Sequence, residues 1–232
     1  SWNDFAILYR SNAQSRIFEE ALRLHHVPYQ FVGALSFLDR KEIKDTLCYW
    51  RLVINPNDDI AFRRVINWPA RGIGKASIET LHQNSVKTGR SLYEATLDAE
   101  LVGTLNDRTK KGLDAFHNLL SSLRGGLAAI DRAAFPNQDG AFLSQVSLWA
   151  KNSLDLIGAK LALQEEEEDI AKAQKRFENI DELANAIGMM DLAADTAGGP
   201  SNGTVVLQEY LAQLILDSKE EEKDEDEKKN GI

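Results

Sequence analysis

Cysteine is nearly absent: Cys48 stands alone. That excludes an internal disulfide and any multi-thiolate metal site, and it fits a reducing, cytoplasmic setting. Long apolar runs are missing as well. No window approaches the ~18 uninterrupted apolar residues of a membrane span, so no membrane association is expected. The opening SWNDFAILYR has no basic flank, long apolar core or cleavage site of a secretory signal. It also has no initiator Met and enters an apolar stretch at once, which reads as a piece excised from a longer chain. No GxSxG and no paired Cys/His arrangement supports hydrolytic chemistry. The histidines, His25, His26, His82 and His117, stand at no HExxH spacing, so no metal site is expected.

What is present is ordinary globular material. The 232 residues suit one large domain or two small ones, and 43% apolar content is enough for a core. Charge is unevenly spread. Residues 1–90 hold 13 Lys+Arg and 9 Asp+Glu, a balance of +4; the other 142 hold 14 and 27, a balance of -13. Part of that deficit lies in Glu165 to Asp169, read as a solvated face. The rest of the run-like acid lies in Asp217 to Lys229, where 8 acids meet 4 lysines. A basic front half can hold an anion site that the net charge of -9 conceals.

Periodicity gives a mainly α fold with a small α/β portion at the N-terminus. Phe5 to Tyr9 reads as a buried strand and Tyr29 to Val32 as a second. Between them Ser11 and Gln14 have capping-box spacing, and Ile17, Phe18, Ala21 and Leu22 carry a helix to about His25. Asp39 and Glu42 repeat the capping-box spacing. Ile43, Leu47, Trp50 and Ile54 then form one apolar stripe. Asp58-Asp59 opens a short helix through Ile66, stopped at Pro69. Arg71 to Lys75 is a tight turn leading into the helix of Ile78 and Leu81. Further helices are expected at Asp107–Leu123, closed by Gly125-Gly126, at about 141–150 and 168–190, and from Val206 to Ile215. Residues 131–140 and 195–203 read as loops, and the acidic tail as disordered.

The first candidate for phosphate chemistry is a glycine-rich stretch. Gly72-Ile73-Gly74-Lys75-Ala76-Ser77 superficially resembles GxxxxGK[ST], but Pro69 stands where the first glycine belongs and Ala76 where Ser/Thr must hold magnesium. It is not a nucleotide loop, and no other segment offers one. A Gly-Ile-Gly turn into a helix has another use: close backbone approach to a phosphate, with the helix N-terminus and the flanking Arg71 and Lys75 supplying positive charge. That suits a sequence-independent grip on a nucleic-acid backbone. An ordinary tight turn between helices uses the same residues. Tyr9-Arg10, at the end of the first strand, allows an aromatic to stack on a base and an arginine to reach a phosphate; a rim Tyr and a solvated Arg fit the same residues.

Five ordered segments carry a family resemblance. Tyr9 to Arg16, YRSNAQSR, resembles the YR-[ST]-NAQSR segment of UvrD/PcrA/Rep-type superfamily 1 DNA helicases. Glu19 to Leu22 with Val27 to Tyr29 follows. Phe37 to Asp45 resembles F-x-x-R-x-EIKD. Asn55 to Asp59 with Arg64 to Gly74 resembles N-x-x-DD…R-x-x-N-x-P-x-RGIG. Lys175 to Leu183 resembles R-[IL]-EN-[IL]-[DE]-EL.

The resemblance implies that residues 1–103 begin the second RecA-like motor domain (2A). It makes 104–216 its helical insertion (2B) and leaves 217–232 as the acidic tail. It implies an ATP-dependent helicase parent of 3′-to-5′ polarity, using ATP with Mg2+ and acting on a single-strand/duplex DNA junction with the remaining motor domains of the same parent chain. Tyr9 would then stack on adenine and Arg10 would contact the γ-phosphate as an arginine finger. Arg71, Gly72, Gly74 and Lys75 would contact DNA. The chain alone, lacking Walker motifs, is expected to be inactive and to bind no cofactor. A stand-alone helical DNA- or protein-binding module and a helicase–nuclease fragment of the AddA/RecB type are the alternatives.

Overall fold

The computed structural model describes residues 2, 5–9, 18, 21–22, 24–25, 27–29, 37–190 and 200–229, with residues 217–229 described by backbone only. A 3-10 turn at Phe37–Asp39 leads into α1, Lys41–Ile54, and α2, Asp59–Val65. Then come α3, Lys75–Thr88; α4, Leu92–Ala95; α5, Ala99–Gly103; and α6, Asp107–Ala128. The chain continues through α7, Asp139–Ile157; α8, Ala159–Glu166; α9, Ile170–Ile187; and α10, Gly203–Lys229. The fold is mainly α, as the periodicity required. No described helix is long and apolar enough to cross a membrane.

The expected α/β opening is not formed among the described residues. Residues 5–9 carry no regular secondary structure and pair with no strand among the described residues, and Phe5 and Leu8 are 76% and 94% exposed. A strand exists by its ladder of hydrogen bonds, and none is formed among the described residues. The second expected strand keeps only Tyr29 inside the described residues. The one described bridge is isolated, Asp131 to Asn202, and it pins the segment after α6 to the start of α10. In the expected N-terminal helix, Phe18, Ala21, Leu22 and Leu24 are helical.

α1 lies at the centre. The expected single stripe of Ile43, Leu47, Trp50 and Ile54 is too narrow: Tyr49, Leu52 and Val53 are buried while Leu47 and Ile54 are half-exposed. A helix packed on several sides buries several faces, and α1 touches α2, α6, α9 and α10. Its start also departs from expectation. Arg40 is the N-cap and makes no side-chain cap, while Glu42 is buried.

Other caps are legible. Asp58, Asn106 and Asp169 each accept a hydrogen bond from a first-turn N–H of their helix. Gly125-Gly126 does not close α6, which runs to Ala128. Leu113, Phe116, Leu120, Leu123 and Leu127 carry one buried stripe past the glycines, and that burial outweighs their low helix propensity. α10 extends past Ile215, so the acidic run expected to be disordered is helical as far as Lys229. Glu and Lys, which dominate that run, are strong helix formers.

One hydrophobic core runs from Phe37 to Leu211. Residues on both sides of the expected 103/104 division contribute to it, Leu92 and Ala95 before and Leu105, Leu113 and Phe116 after. Buried tryptophans lock its layers. Trp50 Nε1 donates to Ser153 Oγ at 3.0 Å, and Trp149 Nε1 donates to the Leu123 carbonyl at 3.1 Å.

Candidate nucleic-acid interface

The turn between α2 and α3 is built from the inside outwards. Asn67 begins it: its side-chain oxygen accepts from the backbone N–H of Arg71 at 2.8 Å and of Ile73 at 3.2 Å. The Trp68–Pro69 bond is cis. Ile73 is buried and anchors the loop. Gly72 has φ +75, a conformation that favours glycine.

Arg71 is turned inward. Its Nη1 lies 3.3, 3.4, 3.0 and 3.1 Å from the carbonyl oxygens of Val65, Ile66, Trp68 and Pro69. These carbonyls lie at the end of α2 and just beyond it, where a cation also meets the negative end of the helix dipole. The guanidinium lies over the ring of Tyr49 at 5.8 Å and that of Phe116 at 5.3 Å. The Tyr49 hydroxyl reaches two of the same carbonyls, those of Trp68 and of Val65. Burial pushes the Tyr49 pKa far up, with Arg71 opposing, so this hydroxyl is a donor at every ordinary pH. Arg71 therefore closes α2 and seats the turn on α1 and α6. Arg71, expected from the sequence to face outward, is half-buried and its Nη1 is turned onto the end of α2.

The two glycines differ in what surrounds them. A Cβ on Gly72 would fall 2.3 Å from Nε of Arg108, so this glycine makes room for a side chain of α6. A Cβ on Gly74 would meet nothing within 4 Å. Gly74 is the N-cap of α3 and offers no side-chain cap, and the first turn has no acidic residue. Gly74, Lys75 and Ala76 are exposed. The first-turn N–H groups of a helix lack intrahelical partners and carry partial positive charge. Here they belong to exposed Lys75 and Ala76 and to buried Ser77. The turn also leans on Gly112 of α6, where a Cβ would stand 2.5 Å from the Arg71 carbonyl oxygen.

A polar network supports the turn from behind. Trp68 Nε1 donates to Glu166 Oε1 at 2.9 Å, and Glu166 also takes Lys41 at 2.6 Å and Arg176 at 3.3 Å. Arg176 Nε lies 3.2 Å from buried Glu42, whose other oxygen accepts from Asn179 at 2.8 Å. Asp45 is buried and paired with Arg64 at 2.6 Å. The EIKD, RGIG-containing and R-x-EN segments, far apart in sequence, thus meet in one place. Burial works against the Glu166 carboxylate, but hydrogen bonds and charge from Lys41, with Trp68 and Arg176, outweigh it and hold its pKa below the ordinary value. Burial raises the Asp45 pKa, and Arg64 and Lys41 only partly oppose it.

Glu165 to Asp169, expected as a solvated face, instead supplies Glu166 to Trp68, Lys41 and Arg176. Arg108 lies 36 residues beyond Gly72 and gives no local signal. Asn67, two residues before a proline at a turn, was detectable by turn chemistry. The other expected site fares differently. The Tyr9 ring is stacked on Phe18, centroids 6.2 Å apart at 22°. Arg10 lies outside the described residues.

A family model for the UvrD-like helicase C-terminal domain matches residues 1–232. The chain belongs to this family. Among curated relatives, it is 35% identical over 184 residues to the ATP-dependent DNA helicase PcrA of Staphylococcus aureus (strain Mu50 / ATCC 700699), covering 78% of this chain and 23% of that protein. It is 32% identical over 229 residues to the ATP-dependent DNA helicase PcrA of Bacillus subtilis (strain 168), covering 99% and 28%. It is 33% identical over 219 residues to DNA helicase II of Escherichia coli (strain K12), covering 94% and 28%. This UvrD-like chain therefore spans about a quarter of the length of the relatives it matches.

Proposed function

We propose that this chain is the DNA-gripping part of an ATP-dependent helicase, and that the turn at 71–75 holds the backbone of a single-strand/duplex junction. The observation that carries the reading is the start of α3. An uncapped helix N-terminus coincides with an open glycine at 74 and an exposed Lys75, while Arg71 fixes the same turn from within. Such a site binds phosphate oxygens through backbone N–H groups and reads no bases. The names of the relatives supply ATP dependence and DNA as what is acted on; Mg2+ as the usual companion of phosphoryl transfer, 3′-to-5′ movement and the remaining motor domains of the same parent chain rest on the resemblance. Tyr9 and Arg10 as nucleotide contacts rest on the resemblance alone. A cytoplasmic place fits such a protein. The stand-alone module and the helicase–nuclease fragment find no observation in their favour.

The test is the salt dependence of junction binding, read by fluorescence anisotropy at low ionic strength because the net charge is -9. Lys75→Ala is expected to lower the slope of log K against log salt by about 0.9, the value of one phosphate contact. An unchanged slope and affinity would leave the turn as a connector between helices.

A further inference from the structure

We propose that the duplex-contacting surface continues from the turn onto α6, with Arg108 and Lys111 as two further phosphate contacts. The inference rests on the reading of the turn as a DNA contact and extends it to residues that the sequence pattern did not mark.

Three observations place them there. The Arg108 side chain lies over Gly72, so its stem is packed on the turn itself. Ser77 Oγ and Thr109 Oγ1 are hydrogen-bonded at 3.1 Å, which ties the start of α3 to the start of α6. Both cations are exposed, and neither has an ion pair or hydrogen bond among the described residues. Their neighbour Lys110 differs, lying 3.7 Å from Asp107.

The face they share is suited to a polyanion. Arg108 and Lys111 are three residues apart, so they are neighbours on the helix surface. The same strip continues through Ala115, Asn118 and Ser122, all exposed and none of them acidic. The carboxylates of α6 border this strip: Asp107 stands four residues before Lys111 and Asp114 three after it, and Asp107 lies 3.7 Å from Lys110. At 1.5 Å per residue a helix of 22 residues is about 33 Å long, close to one turn of duplex at roughly 34 Å. The five positions of the strip carry two cations and no carboxylate, with Asp107 and Asp114 on its border.

The experiment compares the whole 232-residue chain with three variants on one labelled single-strand/duplex junction. The variants are Lys75→Ala, Arg108→Ala with Lys111→Ala, and Arg108→Lys with Lys111→Arg. Thermal unfolding of each confirms an intact fold. The double alanine variant is expected to lose about 1.8 from the salt slope, two contacts' worth, and the charge-retaining pair to stay near the parent value. If Lys75→Ala lowers the slope and the double alanine variant does not, the extension onto α6 is wrong and the turn stands. If neither lowers it, the turn reading fails and the extension with it. If the charge-retaining pair falls as far as the alanine pair, packing on Gly72 rather than charge is being read, and the proposal is overturned.

Discussion

Arg71 shows how one side chain decides what a turn does. Sequence places it beside two glycines and a lysine, as though all four faced a ligand. Its partners, however, come from α1 and α6: the rings of Tyr49 and Phe116, with carbonyls of the α2 end below. Nothing local to 71–75 announces those contacts. Arg71→Ala would leave several carbonyls without their charged donor and open a gap between two rings. A loss of about 2 kcal/mol is expected, the scale of a hydrogen bond to a charged group. It should appear as a lower urea midpoint at unchanged m-value. The salt slope for DNA should stay at the parent value wherever the variant is folded, since Arg71 faces inward. Glu166 gives a second residue-scale test, in pH. Its folded pKa lies below 4.5. The stability it contributes is therefore complete above that value and is lost as pH falls through the folded pKa. Asp45 works in the opposite sense. Its raised pKa means the folded chain takes up that proton more readily, and stability falls as pH rises through the raised value. Glu166→Gln should narrow the gap in urea midpoint between pH 7 and pH 4, whereas Asp45→Asn should widen it.

At the scale of elements, much was legible because local chemistry and tertiary packing agree. The helix opening at Asp58-Asp59 and its stop before Pro69 are true helix ends. Disagreement came where distant partners decide. Asp39 and Glu42 have the spacing of a capping box, yet Glu42 is drawn into the network of Arg176 and Asn179. Gly125-Gly126 looks like a stop, yet the stripe ending at Leu127 continues beneath it. Phe5 to Tyr9 has the composition of a strand but lacks a neighbour to pair with among the described residues. The glycines of α6 allow a direct comparison. Gly125→Ala meets nothing within 4 Å and is expected to stabilise the helix by up to about 1 kcal/mol. Gly112→Ala drives a methyl to 2.5 Å from the Arg71 carbonyl oxygen, so the turn must shift, and a loss of roughly 1–3 kcal/mol is expected. Thermal unfolding of the two variants should move in opposite directions.

At the scale of the molecule, one continuous core makes α1 the axle and the 71–75 turn an edge fixed to it on several sides. The candidate site was half legible. Glycines and a lysine before a helix announce an anion-gripping turn, but which glycine is open and which cation is free depends on α6. The charge of the chain sets conditions. A -9 molecule binds a polyanion only through a local basic surface, so affinity should be weak and steeply salt-dependent. With no GxxxxGK[ST] in these 232 residues, the chain alone is expected to give negligible DNA-stimulated phosphate release; robust turnover by the purified chain would contradict that.

The most direct test of the central claim, that the turn is held from within and grips phosphates without, is a titration of the 15N-labelled chain with a single-strand/duplex junction, followed by amide chemical shifts. The backbone amides of Gly74, Lys75 and Ala76 are expected to move most. Those shifts should collapse on raising salt, while the Arg71 Nε–H signal stays in place. Large shifts confined to α7–α9, with the 74–76 amides unmoved at saturating DNA, would contradict the account.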